Sequence, residues 1–225
     1  MNPELQKYFV LMDKHPELFR ASTELPICTD KHILLEFQEK TGRTLGVITE
    51  NRGYWMILAD LIQPHMASPF VYMRVVPYSG GGSVILPVYC QGRTPKVGLL
   101  LNFRHSIRKN VYELPRGHQE EGLSPEENAK MEVCSELGIS NDQIANVHAL
   151  GKVMPDSGLT ASEVSLFAAE IIGETPPAGN IGHEGIKKIL WVDLETLENM
   201  IADGRITDSF TIAAYTRYML KQQKT

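Results

Sequence analysis

The chain has 225 residues with 22 Lys and Arg against 27 Asp and Glu, a formal net charge of −5 and no Lys/Arg run, which argues against a sequence-independent nucleic-acid surface or a membrane surface. Its 43% hydrophobic content is ample for a core, and Cys28, Cys90 and Cys134 form no Cys-x-x-Cys pair, so neither a disulfide framework nor a zinc site is suggested. The N-terminal stretch is interrupted by charges and no apolar run is long enough to span a membrane, so a cytoplasmic protein is expected.

Residues 1–82 form a first unit. Leu5, Tyr8, Phe9 and Met12 stand at helical spacing, and a second short helix is expected over 32–40 with Gly42 as its stop. The period then changes to that of strands over 44–50 and 54–62, joined by the Asn51-Arg52-Gly53 turn, with a third over 70–76. Tyr54, Trp55 and Tyr72 are core or interface residues, or else a stacking platform for a base. No Gly-Lys-Ser/Thr follows Gly80-Gly81-Gly82, so this triplet reads as a flexible turn between units, not a phosphate loop.

The second unit is 83–225. Strands are expected over 83–90 and 96–103 around a 92–95 turn, followed by Arg104-His105 and by 111–114. The stretch from Leu114 to Ile139 is the most informative. Ser124 and Glu127 make a capping box, Pro125 falls at the first helical position, Ala129, Val133 and Leu137 give a buried stripe, and Gly138 ends the helix. Glu132 and Glu136 lie one turn apart on another face. Their like charges repel, so they are either solvated surface acids or a pair that a divalent cation holds together. Further on come His183-Glu184 in a Gly-rich connector and a strand over 186–192. A helix over 194–202 is capped by Asp193 and stopped by Gly204, and a last helix runs from Thr207 or Asp208 to about Lys221.

These residues resemble the Nudix hydrolase signature. Gly117, Glu132, Val133, Glu136, Gly138 and Ile139 take family places, whereas Leu123, Met131 and Ser135 stand where the family has Glu, Arg and Glu, so the box is degenerate. Leu101-Asn102-Phe103-Arg104 and Tyr112-Glu113-Leu114-Pro115 before it, Pro155 and Glu163 after it, and the segments around Trp191 and Asp208 are similar to the ADP-ribose pyrophosphatases over about residues 70–221. The resemblance implies an α/β (α+β) Nudix fold, a mixed β-sheet sandwiched between helices, with an N-terminal helix-plus-strand extension that makes a homodimer. It implies Mg2+ (or Mn2+) held by Glu132, Glu136 and the backbone carbonyl of Arg116, with Glu120 supporting the metal shell. Arg104, Gly117 and Pro155 would meet substrate, and Glu163 would orient or deprotonate the attacking water. The implied reaction is hydrolysis of a nucleoside diphosphate linked to another group, ADP-ribose giving AMP and ribose 5-phosphate. The alternatives are a GDP-mannose-type nucleotide-sugar pyrophosphatase, or a Nudix-like module that binds ADP-ribose or a nucleotide sugar without cleaving it.

Overall fold

The computed structural model describes residues 2–51, 54–78, 80–92 and 94–223, and only the backbone of His183. The expected turn at Arg52-Gly53 and Arg93 of the 92–95 turn lie outside the described residues. The chain divides into two compact units, Met1–Tyr78 with Asp156–Ser162, and Ser79–Pro155 with Glu163–Thr225.

In the first unit, helix α1 (Pro3–Lys14) begins where the Asn2 side chain accepts the Leu5 N–H, and it buries Leu5, Tyr8 and Phe9. Helix α2 (Lys31–Thr41) is capped by Asp30 and ends at Gly42 in the left-handed region. Strands β1 (Gly46–Asn51), β2 (Trp55–Ile62) and β3 (Phe70–Pro77) form an antiparallel sheet in that order. Leu5, Tyr8, Leu34, Leu45, Leu58 and Leu61 fill the core, and buried Asp60 takes hydrogen bonds from the Tyr8 hydroxyl and Arg74 Nε, each at 2.5 Å. The β2–β3 register sets Trp55 opposite Pro77 and Tyr72 opposite Asp60. Trp55 and Tyr72 are thereby about 16 Å apart along the strands and cannot share one stacking platform.

The division differs in two places from the sequence reading, which puts 1–82 in the first unit and all of 83–225 in the second: the first unit ends at Tyr78, and a later segment joins it. Asp156–Ser162 packs with the first, because Val75 exchanges backbone hydrogen bonds with Leu159 (2.8 Å) and Ala161 (2.9 Å), and the Tyr72 hydroxyl donates to the Gly158 carbonyl.

The second unit is built on β4 (Ser83–Tyr89), β5 (Lys96–Arg104), β6 (Lys109–Glu113), β7 (Arg116–Gly117), β8 (Ile144–Val153), β9 (Val164–Ile171) and β10 (Ile186–Asp193). The sheet runs β10-β5-β4-β9-β8, with β6 added to β5 and β7 to β4. It is mixed because β4 and β9 are parallel while the other pairs are antiparallel. Helix α3 (Pro125–Leu137) covers one face, and α4 (Leu194–Ala202) and α5 (Ser209–Gln222) belong to the other. The pleat of β4 shows how. Val84, Leu86 and Val88 pack with Leu197, Met200 and Ala214, while Ile85 and Tyr89 pack with Ala129, Val133 and Leu137. This is the expected mixed sheet between helices.

Candidate active site

Helix α3 forms as its sequence dictates. Both halves of the Ser124/Glu127 capping box are made, Pro125 opens the helix, and Gly138 closes it at φ 65°. Ala129, Val133 and Leu137 are buried as the stripe predicts. The second face differs from a surface acid pair. Glu136 is only 3% exposed and Glu132 is half-buried, so the reading of two solvated carboxylates is overturned.

Both acids press against the loop before the helix. A Cβ on Gly117 would overlap the Glu132 carboxylate, so only glycine lets that carboxylate lie against the backbone there. Glu136 Oε2 accepts the backbone N–H of Arg116 at 3.0 Å. Burial pushes the Glu136 carboxyl up to about 8 against the opposing Arg116 N–H, and the neighbouring charges of Glu132 and Glu113 add to the rise while Arg104 lowers it.

The register explains why the Arg116 amide is free for this role. Ile85 donates its N–H to the Pro115 carbonyl at 3.0 Å, and Val84 stands opposite Arg116 in the antiparallel β4–β7 pair. In such a ladder alternate residues turn both backbone groups away from the partner strand. The Arg116 N–H and C=O therefore share the edge on which Glu136 sits.

Arg104, expected on substrate, is held side-on by the fully buried Glu113, with Nε 2.8 Å from Oε2 and Nη2 2.7 Å from Oε1. The same carboxylate takes Asn102 Nδ2 at 2.9 Å and Arg116 Nη2 at 2.9 Å. Arg116 also reaches Asp208 at 3.2 Å and lies over the Phe210 ring at 4.9 Å, which ties the start of α5 to the loop. Sequence reading quotes Glu113 only as part of a motif and gives it no role. Its signal is a lone acid inside the apolar run Val111 to Pro115.

Glu163 is half exposed and paired with Lys152 at 3.0 Å. Its backbone abuts Gly81, while buried Gly82 at φ 102° abuts the Gly117 carbonyl. The glycines thus let three backbone segments stack at the end of the sheet where α3 begins, and they are a packing device, not a flexible turn. Pro155 and Glu120 are exposed, and the Glu120 N–H donates to Asn128 Oδ1 at 2.9 Å. Asn128, fully buried one turn before Glu132, is a further residue of this polar face that sequence reading misses. Leu123 and Met131, at the altered signature positions, are 37% and 39% exposed, and half-buried Ser135 accepts Asn180 Nδ2 on its carbonyl at 3.4 Å. Among the described residues no three His, Cys, Asp or Glu gather closely enough to hold a metal ion, so the acid pair has no third side-chain ligand beside it.

No known family model and no curated protein matches this sequence. A solved structure described as "Crystal structure of ADP compounds hydrolase" matches with a TM-score of 0.60 at 14% identity, over 80% of this chain and 93% of that one. The chain therefore shares its mixed α+β fold with that structure. Among the described residues no helix is long and apolar enough to cross a membrane.

Proposed function

We propose that this protein hydrolyses a nucleoside diphosphate linked to another group, ADP-ribose to AMP and ribose 5-phosphate, with Mg2+ or Mn2+. The observation that carries the reading is Glu136, a carboxyl buried to 3% exposure one helical turn from Glu132 and against the Arg116–Gly117 strand. Burying an acid beside another acid is unfavourable unless a cation shares them. The donor set is all oxygen, which suits Mg2+, an ion that keeps several waters and takes one or two carboxylates. Glu132 and Glu136 would hold it, with the Arg116 carbonyl on the same edge. When bound, such an ion offsets phosphate charge and lowers the pKa of a water. Arg104, pre-oriented by Glu113, meets the diphosphate with its remaining N–H groups. Glu163 orients the attacking water once it exchanges Lys152 for substrate or solvent.

A second reading is favoured by the two-acid count. With Ser135 at the third position, the same site would bind ADP-ribose or a nucleotide sugar without cleaving it. One experiment separates the two. Wild type and Glu136→Gln are assayed on ADP-ribose, GDP-mannose and related compounds with Mg2+ or Mn2+, reading AMP or GMP release. Metal-dependent AMP release that Glu136→Gln loses supports hydrolysis; binding of ADP-ribose with no turnover of any compound overturns it.

A further inference from the structure

The first unit carries a groove that the acidic site does not use. Leu5, Tyr8 and Phe9 pin α1 into the core, while Lys7, Val10, Leu11 and Lys14 follow the spacing i, i+3, i+4 and i+7 along another stripe of the same helix. These four side chains line a groove of about 450 Å³, a size that suits a small organic ligand. Its floor is apolar, made by Val47 of β1 and Met56 of β2, which are 5% and 4% exposed.

A β-bulge sets what closes one end. Val47 stands opposite Leu58 and Glu50 opposite Met56, so three steps along β1 match two along β2. The extra residue puts Val47 and Glu50 on one face of the sheet, where an unbroken strand would send them to opposite faces. Glu50 thereby reaches α1. Its Oε1 takes Lys7 Nζ at 2.8 Å, and its Oε2 takes the Tyr78 hydroxyl at 2.7 Å. Glu50 is the one acid among the described lining residues, and both of its oxygens are occupied.

The charge left over is positive. His15, next to Lys14 in the lining, has its Nδ1 3.1 Å from Glu17 Oε1, whereas among the described residues no carboxylate pairs with Lys14. Seven residues of helix set Lys14 about 10 Å along the axis from Lys7, with Val10 and Leu11 between them. The groove has an apolar middle, a neutralised end and a cationic end.

We infer that this groove binds a small amphipathic carboxylate, its apolar body on Val10, Leu11, Val47 and Met56 and its carboxylate on Lys14. A cationic ligand finds no free counter-ion at Glu50, and an uncharged one leaves the Lys14 ammonium unanswered, so charge complementarity selects the anion. The thioether chain of Met56 adapts the floor to the shape of the apolar body. The inference stands apart from the hydrolase reading and uses no residue of that site.

The test is a titration with octanoate at constant ionic strength, read on the Met56 methyl resonance of methionine-labelled protein, with Met200 of the other unit as the internal control. Saturable movement of Met56 without movement of Met200 is expected. Octanol, with the same chain and no charge, should bind about threefold or more weaker, and Lys14→Gln should bring octanoate down to the level of octanol. Val10→Glu, at a position 51% exposed, keeps the fold and should abolish binding by placing a carboxylate in the groove. The inference is overturned if Met56 shows no saturable shift, if octanol or octylamine binds as tightly as octanoate, or if Lys14→Gln or Val10→Glu binds octanoate like wild type.

Discussion

The backbone N–H of Arg116 donates to the buried carboxyl of Glu136 across 3.0 Å, so the residue before the loop glycine and the last acid of α3 are fixed to one another. This bond favours the ionised form of Glu136, yet burial and the nearby acids outweigh it and hold the carboxyl at about 8. In that balance Glu136 keeps its proton at neutral pH.

Stability without metal should therefore fall as pH rises. The folded-state value is raised from an ordinary 4.5 to about 8, so the folded chain binds more protons than the unfolded chain between those limits. The contribution is fully present below the lower limit and is lost through the upper one, on the order of a few kcal/mol. Thermal melts in chelator should show this slope, and Glu136→Gln should flatten it. Added Mg2+ should raise the melting temperature more at about pH 8 than at about pH 6, because binding requires the ionised form.

Gly117→Ala should separate function from folding. Its new Cβ overlaps the end of the Glu132 side chain, which can swing away, so the fold should lose no more than about 1 kcal/mol. The displaced carboxylate should lower kcat/KM by about hundredfold or more. Gly82→Ala is the contrast. Its Cβ strikes the Gly117 backbone carbonyl and its φ is 102°, so a lower melting temperature should accompany any loss of activity.

Glu113→Ala should be among the most destabilising single changes in the second unit. The fully buried carboxylate has Asn102, Arg104 and Arg116 as donors, and removal takes the acceptor from the buried Asn102 amide and leaves Arg116, with 20% of its side chain exposed, with Asp208 as its one remaining counter-ion among the described residues. Breaking a buried pair in this way costs about 3 kcal/mol or more, to be read in urea unfolding. Arg104, with 35% of its side chain exposed, can turn to water, so the loss falls on Asn102 and Arg116.

What the sequence could show was local. Ser124, Pro125, Glu127 and Gly138 specify α3 through caps acting within a few residues, and the continuous apolar, β-forming run through Val84, Ile85 and Leu86 gives a strand. The burial of Glu136 was not legible, because it depends on the β4–β7 register that turns the Arg116 amide toward the helix. The same holds for Glu113, whose partners Asn102 and Arg104 lie on the neighbouring strand, and for Leu159, whose place beside Val75 joins segments far apart in the chain. The glycine triplet was misread for a related reason: its neighbours, Glu163 and Gly117, arrive from elsewhere in the fold.

Ser135→Glu tests whether two acids suffice. Residue 135 is half-buried, three positions after Glu132 and next to Glu136, so a carboxylate there can reach the side of α3 that carries the pair. In the absence of metal a third acid adds repulsion, and the variant should melt lower in chelator than wild type. With Mg2+ the order should reverse, since the added oxygen ligand strengthens binding to the folded state. A rise in turnover that tracks the tighter metal binding would mark the natural chain as an enzyme working with a reduced ligand set. Tighter metal binding with no turnover on any nucleotide would instead support the binding-module reading, because the missing element would then lie beyond the metal ligands, at Glu163 or Arg104. Isothermal titration of Mg2+ beside steady-state kinetics on the same preparations distinguishes these results.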